Sequence, residues 1–280
     1  MTVNAPLRHE IVAANRASGR LACSVVAGSG GSRRARVHEA GSLRVRFPNG
    51  ERGGHNALEA VMVNTAGGMA GGDRFAIEIA VGAGARLTAT TAAAEKIYRS
   101  LGPETEIGVK LEVGAGAALA WLPQETILFD RARLRRTIEV DLAKDAALIL
   151  VEAAVFGRSA MGETVASGHF FDRWRVRVDG TLAFAETLRL DGAIAERLAR
   201  RASADGGIAL ASVLKLPGHD ASNAAVRAIE QDFGGQVGVS AWNGLALARL
   251  VAPDGATLRR DLIDVLVALG AMPLPRLWLN

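Results

Sequence analysis

A short apolar stretch that ends in a tight turn recurs along this chain. It reads Val-Gly-Ala-Gly-Ala-Arg-Leu at 81–87 and Val-Gly-Ala-Gly-Ala-Ala-Leu at 113–119, with looser versions at 142–148 and 178–182. A spacing of about 30 residues is typical of layered or solenoid-like β proteins, in which each unit buries its apolar face against the next. Chance repetition in a glycine- and alanine-rich chain is the alternative. The leucines that close the four copies are Leu87, Leu119, Leu148 and Leu182.

Alternation of apolar and polar residues supports this interpretation. Apolar side chains occupy every second position from 75 to 79 and from 174 to 178, which is typical of half-buried strands. Short strands separated by glycine-rich turns indicate a mainly β protein, in which stacked strand–turn–strand units form a layered, solenoid-like domain. The predicted strands include Val37–Phe47, Leu58–Asn64, Phe75–Val81, Ile107–Val113 and Thr137–Leu142.

Two helices are predicted near the C-terminus, at Ser222–Phe233 and Thr257–Leu269. In the second, apolar residues recur at helical spacing, Thr257 can cap the start and Gly270 can end the helix. No low-complexity linker divides the chain, so residues 1–280 are predicted to form one domain. Residues 1–36 are rich in Ala, Arg and Ser, which predicts a frayed and partly disordered start.

Composition narrows the classes of function. No apolar run approaches the roughly 18–20 residues of a membrane span, and charges interrupt any secretory signal, so the chain is predicted to be cytoplasmic. The single cysteine, Cys23, excludes an intramolecular disulfide and a cysteine-rich zinc site. The chain contains 33 basic and 29 acidic residues, and aromatic residues make up only 5%, so no nucleic-acid partner is predicted. The basic balance indicates a surface that binds proteins.

The common catalytic motifs do not occur in the sequence. The glycine-rich stretch Gly67–Asp73 lacks the lysine of a phosphate-binding loop and leads into a strand rather than a helix. No G-x-S-x-G motif is present. The five histidines have no partner at ligand spacing, so no stored zinc or nickel site built on imidazole is predicted. The chain is therefore predicted not to be an enzyme.

Four glutamates follow the repeated turns, and two of them, Glu152 and Glu186, lie within apolar stretches. A carboxylate among valine, alanine and leucine is costly to bury without a partner. One interpretation is that each glutamate pairs with a basic residue. The other is a file of carboxylates lining a wet internal passage for a divalent metal, since oxygen ligands hold nickel weakly and so suit transfer. These glutamates are Glu95, Glu125, Glu152 and Glu186.

A run of arginines follows Asp130. Strand alternation would place Arg131, Arg133 and Arg135 on one face, with Arg136 next in the run. A solvated face is the first interpretation of this pattern. A docking patch for an acidic partner is the alternative.

Six blocks of residues, in order along the chain, resemble the urease accessory protein family UreD, called UreH in some organisms. Together they extend from about residue 64 to residue 278, and the extreme N-terminus carries little of the resemblance. Any one block is weak, whereas six in the same order are specific. The blocks are Asn64–Asp73, Thr90–Ser100, Trp121–Asp130, Phe156–Glu163, Trp242–Leu245 and Leu274–Trp278.

The resemblance implies a stacked β fold and a role in delivering nickel to apo-urease, together with a UreF-type protein and a UreG-type GTPase. GTP would be hydrolysed by the GTPase, and nickel would bind this chain only transiently, with no tightly held cofactor. The family's proposed internal tunnel implies that Asp73, Glu95 and Glu186 line a metal route. The hydrophobic share of 49% predicts an exposed apolar surface for the UreF-type partner.

Two other functions remain open at this stage. A β-fold hydrolase could use two of the glutamates, although sugar hydrolysis usually adds aromatic platforms, and this chain has four Trp and one Tyr. A β-structural binding module without any metal role is the other. Turnover on substrates would favour the hydrolase, and binding of neither nickel nor urease subunits would favour the module.

Overall fold

A computed structural model describes residues 16–48, 57–100, 102–158, 161–271 and 273–279. These residues form seventeen strands in two sheets, and the chain passes repeatedly from one sheet to the other. The strands are β1 Ser18–Gly28, β2 Gly31–Gly41, β3 Leu43–Arg46, β4 Leu58–Asn64, β5 Arg74–Val81, β6 Arg86–Thr91, β7 Glu95–Ile97, β8 Thr105–Val113, β9 Ala118–Leu122, β10 Thr126–Leu128, β11 Arg133–Leu142, β12 Ala147–Phe156, β13 Gly168–Val178, β14 Thr181–Gly192, β15 Ala209–Leu216, β16 Gln236–Trp242 and β17 Leu245–Ala252.

The first sheet has the order β14-β13-β11-β8-β5-β1-β2, and the second has the order β16-β17-β15-β12-β9-β6-β4-β3, with β10 joining β12 to β7. Strands β5, β8, β11 and β13 run parallel in the first sheet, and β4, β6, β9 and β12 run parallel in the second. Each coil therefore contributes one strand to each sheet. The predicted mainly β, solenoid-like fold is confirmed.

Three copies of the repeat stack in register. Leu87, Leu119 and Leu148 lie side by side on adjacent parallel strands of the second sheet, and all three are buried. The turn before each leucine is closed by the same hydrogen bond, from the N–H of its fourth residue to the carbonyl of its first, at 3.0, 3.1 and 3.0 Å. The turns that share this bond are 82–85, 114–117 and 143–146.

The fourth copy does not start a coil. Asp179 and Gly180 have φ of 46° and 76°, and they join β13 to β14 as an antiparallel hairpin within the first sheet. An Asp-Gly pair favours a two-residue hairpin turn, because both positions need positive φ. Leu182 is consequently 51% exposed, unlike the leucines of the first three copies.

The predicted strands match closely, with one interruption. Leu58–Asn64 has the predicted bounds, and the predicted segments at 75–81, 107–113 and 137–142 lie within longer strands. Val37–Phe47 is not continuous, because the chain turns at Gly41. Gly41 has φ of 62°, and a Cβ there would lie 1.8 Å from the carbonyl oxygen of Ser18, so only glycine fits.

The start of the described chain is ordered. Strands β1 and β2 cover residues 18–41, and β1 lies between the edge strand β2 and β5, parallel to β5. Residues 18–28 and 31–36 of the segment predicted to be frayed therefore lie in strands, and residues 1–15 lie outside the described residues. The single-domain organisation stays a prediction.

Three α-helices occur in the described residues: α1 Ile194–Ala199, α2 Asp220–Arg227 and α3 Gly255–Ala268. The first was not predicted. The helix predicted at 222–233 ends early, and a separate 3₁₀ turn follows at Glu230–Asp232. None of the described helices is long and apolar enough to cross a membrane.

Helix α3 begins two residues before the predicted cap. Asp254, not Thr257, caps it, since Asp254 Oδ1 accepts a hydrogen bond from the N–H of Thr257 at 2.8 Å. Aspartate is among the best residues at this position. Gly270 ends the helix with φ of 83°, as predicted.

The C-terminal tail packs on the outer face of the second sheet, beside α3. Trp278 lies in a 3₁₀ turn, Arg276–Trp278, and is 1% exposed. Its Nε1 donates to Thr90 Oγ1 at 3.2 Å and to the carbonyl of Leu122 at 3.0 Å. Arg259 of α3 covers the Trp278 ring at 5.3 Å. The tail thus completes a second hydrophobic cluster, separate from the core between the sheets.

The glycine-rich motif is predicted to be structural, and Gly68→Val tests this. Gly68 has φ of 151°, and a Cβ there would lie 2.5 Å from the Tyr98 ring, whose hydroxyl donates to the carbonyl of Gly67 at 3.1 Å. A β-branched residue in this backbone conformation is strained by about 1–3 kcal/mol. We expect a lower soluble yield and a lower melting temperature. Gly67→Ala is the control, because φ there is also positive but no atom lies within 4 Å. Normal folding of Gly68→Val would contradict a structural role.

Candidate functional site

A buried arginine joins two carboxylates between the sheets. Arg136 of β11 forms ion pairs with Glu152 of β12, in the opposite sheet, and with Asp172 of β13, its neighbour in the same sheet. The distance from Arg136 Nη2 to Asp172 Oδ2 is 2.5 Å. All three side chains are less than 9% exposed. We call these three residues the buried triad.

Further hydrogen bonds hold each member of the buried triad in place. Trp121 Nε1 donates to Glu152 Oε1 at 2.9 Å, and Trp174 Nε1 donates to Asp172 Oδ1 at 3.2 Å. Arg136 Nη1 also donates to Thr126 Oγ1 at 3.1 Å. Among the described residues, only Arg136 Nε of the triad has no partner. One positive charge therefore faces two carboxylates in the interior of the protein.

Burial and neighbouring opposite charges shift the pKa values of Glu152 and Arg136 in opposite directions. Burial raises the pKa of Glu152, and the nearby Arg136 opposes this increase. Burial alone would lower the pKa of Arg136, but Asp172 and Glu152 together raise it above its ordinary value. The guanidinium therefore stays charged at any pH at which the protein is folded.

Two cavities flank the buried triad. The mouth cavity, of about 170 Å³, has five charged residues in its lining, namely Arg136, Glu152, Asp172, Glu186 and Arg249. The inner cavity, of about 50 Å³, is lined by Arg136 and Glu152 together with Asn64, Thr91, Glu95 and Gln124, among apolar side chains. Arg136 and Glu152 are the only described residues that line both. Their ion pair is therefore the wall between the two cavities.

Glu186 lies in the mouth cavity. Its Oε1 accepts hydrogen bonds from Arg249 Nε at 3.1 Å and Nη2 at 2.7 Å, whereas its buried Oε2 has no partner among the described residues. The Arg249 side chain is 59% exposed, so this pair lies where the cavity meets solvent. A carboxylate oxygen is thus available at the entrance.

Glu95 lies in the inner cavity. Its Oε2 accepts a hydrogen bond from Asn64 Nδ2 at 3.0 Å. Burial raises the pKa of Glu95, and this hydrogen bond partly opposes the increase. No described arginine or lysine forms an ion pair with it. Glu95 is therefore the least neutralised of the four glutamates.

Asp73 is placed elsewhere. Its Oδ1 accepts from the N–H of Ala17 at 2.9 Å and its Oδ2 from the N–H of Ala70 at 2.7 Å, and it lines neither cavity. Of the glutamates predicted to form a file, Glu152 and Glu186 line the mouth cavity and Glu95 and Glu152 line the inner cavity. Asp73, which the resemblance placed on the metal route, lies apart from both cavities. Glu125 also lies apart, since it binds Arg259 at 2.9 Å on the side of the C-terminal tail. Whether any of these residues contacts a metal stays a prediction.

The ion-pair interpretation holds for three of the four glutamates, namely Glu125, Glu152 and Glu186. Arg136 and Asp172 were not singled out as site residues. A signal was present, because each occupies the buried phase of its strand, Arg136 between Leu134 and Ile138. A charge at such a position must meet an opposite charge.

The arginines that follow Asp130 do not lie on one face of the protein. Arg133 and Arg135 lie on the outer face of β11, where both approach Glu104, at 3.6 and 2.7 Å. Arg131 is not on that face, because it precedes the strand in a turn with φ of 62°. The described residues contain no group of three His, Cys, Asp or Glu side chains that could hold a metal ion.

Comparison with known proteins gives one consistent result. The family model described as UreD urease accessory protein matches residues 16–279. Proteins named urease accessory protein UreD from Rhodopseudomonas palustris strains HaA2 and BisA53 are 56% and 57% identical over 270 residues, which cover 96% of this chain and 96% and 93% of theirs. The protein of that name from Bradyrhizobium diazoefficiens is 54% identical over 270 residues, covering 96% of both chains.

Proposed function

The chain belongs to the UreD family of urease accessory proteins, and we propose that it assists the insertion of nickel into apo-urease as a non-catalytic scaffold. It acts in the cytoplasm in a complex with a UreF-type protein and a UreG-type GTPase. The sequence supports this division of labour, because it has no phosphate-binding loop and GTP hydrolysis is left to the GTPase.

The observation that carries the proposal is the polar file between two otherwise apolar sheets. Glu186, Glu152 and Glu95 follow one another through two cavities that share a wall. A divalent ion that leaves water needs negative or polar oxygens along its way. Nickel is the cargo of this route, and the weak oxygen donors favour its release. Asn64, Thr91 and Gln124 add neutral donors in the inner cavity.

An apolar rim at the open end of the fold supports a protein partner there. The edge strands of the two sheets, β14 and β16, approach each other through Phe184 and Trp242, whose ring centroids are 6.4 Å apart. Trp242 is 40% exposed, and Leu188, 36% exposed, also lines the mouth cavity. Exposed aromatic and aliphatic side chains are typical of interfaces. The UreF-type partner is the proposed occupant, placed where nickel would enter or leave.

The carboxylate hydrolase has no specific support in this arrangement. Three of its four candidate glutamates are engaged by arginines and the fourth by an asparagine. A pair of free carboxylates about 5–10 Å apart across an open cleft would be needed.

Glu186→Gln tests the route. We expect less nickel in co-expressed urease, with the fold and the accessory complex unchanged, because glutamine keeps the shape and loses the charge. Its partner Arg249 is 59% exposed, so the lost ion pair should cost no more than about 1 kcal/mol. Nickel content of purified urease, melting temperature and co-purification of the accessory proteins are the measurements. Asp73 is left intact, because its loss would leave two backbone N–H groups without acceptors.

Glu125→Gln is the matched control, since Glu125 also pairs with an arginine but lines neither cavity. It should leave the nickel content of urease at the wild-type level. Loss of stability together with nickel delivery in Glu186→Gln would mean a structural role. Unchanged nickel content with unchanged stability would mean that the metal does not pass Glu186.

A further inference from the structure

A positive charge lies at the point where a cation would cross between the two cavities. Arg136 lines both cavities and pairs with Glu152 and Asp172. A guanidinium repels a divalent ion strongly at short range in a low-dielectric interior. A passage for cations would not be expected to place a fixed arginine at its narrowest wall unless that arginine contributes to how the passage works.

The two carboxylates converge on one guanidinium group. Glu152 Oε2 and Asp172 Oδ2 bind the two terminal nitrogens of the same guanidinium, and Thr126 Oγ1 lies 3.1 Å from Arg136 Nη1. Two carboxylates and a hydroxyl are oxygen donors of the kind that divalent ions take. With the guanidinium absent, this place would bind such an ion strongly, because two buried negative charges would have no other counter-ion. Arg136 fills the space between these oxygen atoms.

We propose that Arg136 is a tethered competitor for the cargo, which fills the place between Glu152 and Asp172 so that a crossing metal ion is not retained there. The role of Arg136 in metal transfer rests on the proposed function, whereas the effect of Arg136 on the metal affinity of this chain does not. A site on the route that bound nickel tightly would retain the ion and prevent its transfer. An arginine is always charged and cannot leave the chain, so an incoming ion must displace it and gains only the difference between two attractions.

The surroundings allow this displacement. Arg136 Nε has no partner, and the buried Glu186 Oε2 on the wall of the mouth cavity has none among the described residues either. A guanidinium pushed from the triad can therefore turn toward an unused carboxylate oxygen in the same cavity. The bond from Trp121 Nε1 holds Glu152 in place while the arginine moves.

Arg136→Met tests the inference in the full chain, purified together with the proposed UreF-type partner. With nickel(II) chloride as the probe, equilibrium dialysis should find one additional nickel ion per chain, bound at least about tenfold more tightly than any in the wild type. Nickel should also raise the melting temperature of Arg136→Met and leave that of the wild type unchanged. The matched control is Arg136→Met with Glu152→Gln and Asp172→Asn, which has the same cavity without carboxylates and should gain no nickel.

Loss of Arg136 leaves two buried carboxylates unpaired, so the single variant can fail to fold. Expression with nickel in the medium should then restore soluble protein. If it does not, Arg136→Met with Asp172→Asn leaves Glu152 alone and should still retain more nickel than the neutral control. A folded variant that retains no more nickel than that control would overturn the inference and leave Arg136 as a structural counter-ion.

Nickel in co-expressed urease separates this inference from the proposed function. Retention of nickel by Arg136→Met together with less nickel in urease supports both. Retention of nickel by Arg136→Met with a normal nickel content in urease supports Arg136 as a competitor and contradicts the proposed nickel route. Absence of retention, with urease depleted by Glu186→Gln, supports the route and overturns the competitor.

Discussion

Trp278→Ala should lower the free energy of unfolding by about 3–5 kcal/mol, the usual range for removing a large buried aromatic side chain. Trp278 is 1% exposed and fills the space between α3 and the second sheet. Its loss would also leave the Leu122 carbonyl without the donor that lies 3.0 Å away, and would remove the ring beneath Arg259. Urea denaturation of the purified chain measures the difference.

The adjacent Leu279→Ala is the matched control. Leu279 is 66% exposed, so its truncation should change the free energy of unfolding by no more than about 0.5 kcal/mol. Equal and small effects of the two substitutions would mean that the tail is not part of the stable fold in solution. The expected difference would show instead that the last turn of the chain stabilises the sheet on which it lies.

Glu152→Gln should destabilise the protein by on the order of 3 kcal/mol, far more than Glu186→Gln. Both changes remove one carboxylate that binds an arginine, but Arg136 is 4% exposed and Arg249 is 59% exposed. Removing the Glu152 charge weakens the buried charge-assisted hydrogen bonds that Arg136 and Trp121 donate to it and leaves Arg136 with Asp172 alone, whereas the exposed Arg249 regains water. The amide nitrogen that replaces one oxygen also points a donor at another donor.

Thermal and urea unfolding of the two single variants, in parallel, decide this prediction. The control is the neutral triple variant of the buried triad, which should recover much of the stability because it leaves no charge behind. If Glu152→Gln is as stable as Glu186→Gln, water reaches the triad and the interior is wetter than its exposure indicates.

Much of the fold could be predicted because the repeat and the strand alternation agree. The copies at 81–87 and 113–119 carry glycine at the turn, and both open new coils. The copy at 178–182 shares the letters only loosely, and its Asp179-Gly180 pair makes a hairpin because two adjacent positive-φ residues reverse the chain within one sheet. Similarity between the repeated segments does not distinguish a new coil from a hairpin, whereas the identity of the turn residues does.

The candidate site was predicted only in part. Glu186 could be singled out as an acidic residue in an apolar stretch and Glu95 as a glutamate that follows a repeated turn, and the cavities contain both. Asp73 follows the glycine motif in sequence, but its bonds to backbone N–H groups depend on how the loop folds back on the start of β1. Arg136 could have been found from strand phase alone, whereas its partner Asp172, 36 residues further along the chain, depends on the register of β11 and β13.

The tail also sets a limit on how this protein can be made. The bond between Trp278 and Thr90 joins residues 188 positions apart, so it cannot form until residue 278 has been synthesised. Until then the part of the second sheet that the tail covers lacks that cover, and at roughly 5–20 residues per second the interval after Thr90 is made is about ten seconds or more. Solubility during synthesis therefore depends on whatever protects this surface, and a nascent chain that stops before Trp278 would keep it exposed.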